Sequence, residues 1–234
     1  MPSGKRQAPD VFRRLEYRHR TKVFETHKTP VNLILLSECW RSSKTDVAIF
    51  LDTSPRVSWQ QFYASLDALS YFIDLVDLDD RETRISMTSF DVNFRTVFDF
   101  GEHSNKNDIQ IKINHQRRLT PTSQNLIDVV KVLRYVNESA FIKANNGSKR
   151  LAVLFTNGKS GNQDISELGK IKRQISEQNL TVVCVASGPD VDLYPLYDVV
   201  NDAFDVYVTD EDNVSNLRAL NSYITYHVCE LDED

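Results

Sequence analysis

The amino-acid sequence predicts an α/β domain: a doubly wound, mostly parallel sheet with one antiparallel strand and helices on both faces. Three observations predict it. From residue 46 onward, apolar strand-like runs alternate with segments of helical spacing, the order that builds a parallel sheet through crossover helices. The runs are apolar at consecutive positions, as in VAIFL at 47–51, so both faces of the sheet must be covered. One pair of runs, 83–90 and 93–100, is separated only by Asp91-Val92 and reads as a hairpin, which supplies the single antiparallel strand.

The elements follow in order. A strand at 46–52 is followed by a helix over 58–78, in which Phe62, Leu66, Leu69, Phe72, Ile73 and Val76 fall on one face and Ser58 is placed to cap the start. After the hairpin comes a polar helix near 106–115, then helical spacing from Leu126 in TPTSQNLIDVVKVLRYVNESAF. The turn NNGSK leads into RLAVLFTNG, a second buried strand stopped by Gly158. A helix near 164–178, a strand at 180–187, a helix near 191–200, a strand at 204–209 and a helix at 213–228 complete the pattern. This predicts a basic amino-terminal extension over 1–44, partly ordered at most, a domain over 45–228 and an acidic tail over 229–234.

A chain of 234 residues with 41% hydrophobic content can bury the core of one sizeable domain. Its net charge of -5 is unevenly placed: residues 1–45 hold ten Lys/Arg against four Asp/Glu (+6), and the rest hold 18 against 29 (-11). An acidic body argues against nucleic acid as the main partner, because phosphate contacts need clustered cations. The basic segment RRLEYRHRTK at 13–22 could touch a polyanion, although such runs are more often a solvated face. MPSGKRQAPDVF lacks the apolar core of a signal peptide, and apolar runs such as LILL at 33–36 are far too short to span a membrane.

Several chemistries are excluded by spacing. NGKSG at 157–161 contains Gly-Lys-Ser after a strand, but a phosphate-binding loop needs a second glycine at position 153, where Val stands. The first strand is not followed by GxGxxG, and the chain contains neither GxSxG nor HExxH. The five His, at 19, 27, 103, 115 and 227, are scattered, so an enzyme would need the fold to bring His103, His115 or His227 beside Asp or Ser. No catalytic residue is expected. Acidic runs such as DLDDRE at 77–82 lack calcium-loop spacing.

Cys39, Cys184 and Cys229 form no metal-ligand spacing. Cys184, inside the strand TVVCVAS, reads as a small buried apolar residue. Cys39 and Cys229 bracket the body. If paired, they close a loop of about 190 residues, worth roughly 4 to 5 kcal/mol on chain-entropy models, and imply an oxidising compartment. Asn-x-Ser/Thr sequons at Asn137, Asn146, Asn179 and Asn213, all in polar surroundings, tilt the same way.

With the elements in place, the chain resembles the von Willebrand factor type A domain, also called the integrin I-like domain, over roughly residues 45–228. That family carries a metal-ion-dependent adhesion site on three loops, which correspond here to DTSPR after the first strand, RLTPTSQNL in the middle and LFTNG after the strand ending near 155. The resemblance implies that Asp52 and Ser54 match the first two ligands, with Arg56 where a third ligand, Ser, should stand. Thr120 matches the middle Thr, with Thr122 as the alternative, and Asn157 replaces an Asp.

The resemblance thus implies a vestigial site, Asp52, Ser54, Thr120 and Asn157, with two of five ligand positions changed. A hard divalent cation wants oxygen ligands with carboxylates among them, so exchanging a carboxylate for an amide weakens binding. A guanidinium can pair with a carboxylate through a planar fork, so Arg56 either fills the metal's place beside Asp52 or points to solvent. The expectation is no cofactor, or at most weak Mg²⁺ binding.

Flanking cysteines, sequons and a degenerate site look most like matrix A domains such as the non-collagenous domains of type VI collagen. The implied function is a secreted, non-enzymatic protein-protein interaction module of extracellular matrix or adhesion. Its partners would be other proteins. The alternatives are a Mg²⁺-dependent adhesion domain with a weakened site and an intracellular A-like scaffold.

Overall fold

A computed structural model of the chain describes residues 44–76, 78, 83–117, 128–159, 165–187, 191–202 and 205–209. Thr120, Thr122, Cys39, Cys229, Asn213 and the expected final helix lie outside these residues. The described elements are β1 (Thr45–Asp52), α1 (Trp59–Leu75), β2 (Thr83–Phe90), β3 (Phe94–Phe98), α2 (Lys106–Asn114), α3 (Val129–Glu138), β4 (Lys149–Phe155), α4 (Ile165–Glu177), β5 (Leu180–Ser187), α5 (Leu193–Val199) and β6 (Val206–Thr209).

The six strands lie in the order β3-β2-β1-β4-β5-β6, with β3 antiparallel to β2 and every other pair parallel. The chain therefore starts in mid-sheet, builds outward through β2 and β3, and returns to add β4 on the other side of β1. Strand order reverses between β1 and β4, and at such a reversal the loops leaving the two carboxyl ends turn to opposite faces and open a crevice.

Both faces of the sheet are covered, as the unbroken apolar runs require. Val47, Ile49 and Leu51 of β1 pack with Phe62, Leu69 and Phe72 of α1 and with Ile109 and Ile113 of α2. Ala48 and Phe50 point the other way, into a second cluster with Leu133 and Val136 of α3, Leu168 and Ile171 of α4 and Leu196 of α5. β4 and β5 alternate likewise, with Val153 and Val183 on the first side and Leu154 and Cys184 on the second. The two-residue period of a strand thus divides one apolar run between two cores.

α1 begins at the expected cap. The Ser58 hydroxyl accepts the Gln61 N–H at 3.1 Å and the Gln61 side chain accepts the Ser58 N–H at 2.8 Å, a reciprocal capping box. Its six expected core residues are all buried. The helix ends at Leu75, short of the expected 78, because Val76 turns to extended backbone (φ -67, ψ 130) and seats its side chain in the core.

At the amino end of the sheet, Asp46 is almost wholly buried yet fully engaged. The Arg84 guanidinium donates to both its carboxylate oxygens, at 2.8 and 3.0 Å, and the Asn145 N–H and the Ser148 hydroxyl donate to Oδ2. Arg84 also lies over the Phe100 ring, 5.4 Å from its centroid. The network ties β1, β2 and the turn before β4 at the pole opposite the crevice.

Candidate functional site

β1 delivers Asp52 to the carboxyl end of the sheet, paired with Phe90 of β2, while Leu51 pairs with Phe155 of β4. The residues leaving β1 and β4 at this level are Thr53-Ser54-Pro55-Arg56 and Thr156-Asn157-Gly158-Lys159. The parallel register therefore brings DTSPR and TNGK together at the topological switch point.

Asp52 is 1% exposed, and each of its oxygens accepts one internal hydrogen bond. Oδ1 accepts the Ser54 N–H at 2.9 Å, and Oδ2 accepts the Thr156 hydroxyl at 2.8 Å. Burial raises its pKa to about 6, against the smaller opposing pulls of Ser54, Thr156 and, last, the charge of Arg56. Arg56 is half-buried, and no ion pair or hydrogen bond joins its guanidinium to Asp52 among the described residues. Its charge reaches Asp52 only across a distance.

Asn157 is 2% exposed and both ends of its amide are spent. Nδ2 donates to the Arg56 carbonyl at 2.8 Å, and Oδ1 accepts the Lys159 N–H at 3.1 Å. The Asn157 carbonyl also accepts the Asp192 N–H at 2.9 Å, which fixes the TNGK loop to the segment before α5. Gly158 makes that approach possible: its φ is +73°, and a Cβ there would lie 2.0 Å from the Asp192 carbonyl oxygen. Thr53 ties the other loop to β2, its N–H and its hydroxyl both donating to the Phe90 carbonyl, at 2.8 and 3.1 Å.

Whether these residues suit a divalent cation can be judged from the donors. In favour stands the Ser54 hydroxyl, buried and without a hydrogen bond of acceptable geometry, although close enough to influence the Asp52 carboxylate. Against stand Asn157, which offers a neutral amide oxygen that already accepts the Lys159 N–H, and Arg56, which adds positive charge. Asp52 is left as the sole anionic ligand of the four residues expected to form the site. Among the described residues no group of three or more His, Cys, Asp or Glu is placed to hold a metal ion. A cation that prefers several anionic oxygens fits this set poorly.

Of the expected site residues, Asp52, Ser54, Arg56 and Asn157 are thus brought together, and Thr120 lies outside the described residues. Thr156 is the member that spacing did not single out, although a hydroxyl two residues before a strand-ending glycine was visible in LFTNG. His19, His27 and His227 lie outside the described residues, and the two described histidines do not join the site. His103 stands beside Glu102 (3.6 Å) and edge-on to Phe98, His115 is exposed at the end of α2, and neither hydrogen-bonds to Asp52, Ser54 or Thr156. Cys184 is buried, as expected, and burial pushes its thiol pKa up.

A six-stranded doubly wound sheet with one antiparallel edge strand and a polar loop cluster at its switch point defines a class of α/β domain that presents a loop-built site on its carboxyl pole. The chain belongs to the von Willebrand factor type A domain family, whose pattern it matches over residues 46–222. It is 21% identical to human Matrilin-1 over 122 residues, and it spans about a quarter of that protein's length (24%, against 51% of this chain). Proximal thread matrix protein 1 of the mussel byssus superposes with a TM-score of 0.64 at 19% identity, covering 80% of this chain and 48% of that one. The same mussel protein has been solved with a zinc-occupied MIDAS motif. The manganese-loaded TRAP protein of Plasmodium vivax superposes with a TM-score of 0.62 at 12% identity, covering 78% of this chain and 74% of that one. At these identities the structural likeness establishes the fold.

Proposed function

We propose that the domain is a non-enzymatic protein-protein interaction module of a secreted extracellular matrix or adhesion protein, and that its contacts do not depend on a divalent cation. Likeness to Matrilin-1 and to a byssal matrix protein supports the matrix setting. The observation that carries metal independence is the Asn157 amide. It donates to the Arg56 carbonyl, so a hydrogen bond joins the β1 and β4 loops of this chain, whereas the mussel protein has been solved with a zinc-occupied MIDAS motif.

In the same reading Cys39 and Cys229 form a disulfide, and the basic segment 1–44 contacts polyanions. One observation favours a second reading, a weakened Mg²⁺ site built on Asp52, Ser54 and Thr120: the buried Ser54 hydroxyl has no hydrogen bond of its own. An intracellular scaffold role predicts three free thiols where the matrix role predicts one.

The test is adhesion of solubilised matrix proteins to the immobilised full chain in EDTA and in millimolar Mg²⁺. Equal retention in both supports the proposal. Retention only with Mg²⁺ supports the weakened-site reading, and no retention in either contradicts an interaction module.

A further inference from the structure

The three sequons among the described residues sit in different surroundings, and the geometry separates them. Asn137 lies in the last turns of α3, where its Nδ2 donates to Gln174 Oε1 on α4 at 3.4 Å and its Oδ1 accepts from Gln178 Nε2 at 3.0 Å. Nδ2 is the atom to which an N-linked sugar is joined. A sugar there would have to stand between α3 and α4, whose packing contributes Val136, Leu168, Ile171 and Ile175 to the core. A sugar on Nδ2 would break its bond to Gln174 and crowd the helix pair that Asn137 joins.

Asn146 and Asn179 are exposed. Asn146 is at the tip of the turn before β4, followed by Gly147 at φ +78°, around which a Cβ would meet nothing within 4 Å. Asn179 is the second of the two residues between α4 and β5, in the left-handed region (φ 52°) that Asn tolerates. β4 and β5 are parallel neighbours in which Arg150 pairs with Leu180, so the two side chains emerge at the amino ends of adjacent strands. Both therefore lie on the pole opposite Asp52 and Asn157.

We propose that Asn146 and Asn179 carry N-linked glycans, that Asn137 does not, and that these two glycans cover the amino pole of the domain, opposite Asp52 and Asn157. This rests on the reading that the chain is exported. In the transfer, Asn Nδ2 forms a bond to C1 of a lipid-diphosphate-linked oligosaccharide. The C1–O bond to the diphosphate breaks, the lipid diphosphate leaves with the electron pair, and the Nδ2 proton passes to a base of the transferase. The reaction meets the unfolded nascent chain, so the Ser148 hydroxyl is free then and bonds to Asp46 afterwards.

The experiment is to secrete the full chain from cultured human cells behind a supplied leader. Enzymatic deglycosylation in heavy-oxygen water then converts each occupied Asn to a tagged Asp that peptide mass spectrometry locates. Occupancy at Asn146 and Asn179 with none at Asn137 is expected, and N146Q and N179Q should each remove one glycan while N137Q removes none. A glycan on Asn137 in the secreted chain overturns the proposal, as does a bare Asn146 or a bare Asn179. Because the leader is supplied, this result reads the surface alone. Fractionating cells that make the natural protein tests export, and a cytosolic product alongside occupied Asn146 and Asn179 counts against the export reading only.

Discussion

The side-chain amide of Asn157 donates to the main-chain carbonyl of Arg56 across 2.8 Å, joining the loop after β4 to the loop after β1. An aspartate at 157 could accept but not donate there, so this bond exists because the residue is an amide. Asn157→Ala should lower stability by about 1 to 3 kcal/mol, since it strands a carbonyl and the Lys159 N–H in a buried setting. Asn157→Asp should be destabilised at neutral pH as well, with two oxygens facing each other. Denaturant midpoints in metal-free buffer check both.

Asp52 gives the domain a defined pH dependence. Its folded pKa is raised to about 6, above the ordinary 3.8. A raised acid binds its proton more tightly when folded, so its contribution is complete below pH 3.8 and is lost as pH rises to about 6. The loss is about 2 to 3 kcal/mol. Asp205, raised by burial to about 6, adds to the same window. Asp52→Asn should therefore match the parent near pH 4 and exceed it in stability at pH 7, where the parent carries a buried anion. A variant weaker than the parent at pH 7 would show that the ionised carboxylate is stabilising.

Gly158→Ala should be among the most damaging single changes. It combines a φ of +73° with a methyl group 2.0 Å from the Asp192 carbonyl oxygen. A cost of at least about 3 kcal/mol is expected, read as loss of soluble, cooperatively unfolding protein. A loss under about 1 kcal/mol would mean that the TNGK loop moves away freely.

Arg84→Ala should cost about 3 to 5 kcal/mol, because it leaves the buried Asp46 carboxylate with only the Asn145 and Ser148 donors. Arg84→Lys should recover little, since an ammonium cannot reproduce the two parallel bonds to Oδ1 and Oδ2. Thermal unfolding of both variants at pH 7 tests the ranking.

Cys184 should resist thiol reagents in the native state, being buried with a raised pKa. On denaturation without reductant, one titratable thiol is expected if Cys39 and Cys229 are paired, and three if they are not. Three would favour the intracellular alternative.

The sequence made much of the fold legible because both cores are built from runs whose period changes at each boundary. The strand at 180–187 and the first of the hairpin pair, 83–90, are found with the expected bounds, and Ser58 is found as the cap of α1. Boundaries moved where a backbone turn, invisible to periodicity, ended an element, as at Val76. The site was legible as residue types at strand ends. What each one does was not, because the Asn157–Arg56 bond depends on the main chain of a loop and Thr156 acts across a sequence separation of 104 residues. The Asp46–Arg84 network escaped notice for the same reason, since a buried charge reads as an interruption of a strand until its partner is seen beside it.

The most direct measurement of the central claim is calorimetric titration of Mg²⁺ into the metal-free full chain up to millimolar concentration at pH 7.4, with the melting temperature recorded before and after. No saturable heat and an unchanged melting temperature are predicted, because Asp52 is the one carboxylate of the set and both it and the Asn157 amide already make internal hydrogen bonds. A saturable heat with one ion per chain and a raised melting temperature would contradict the account and return Ser54 to the role of a ligand.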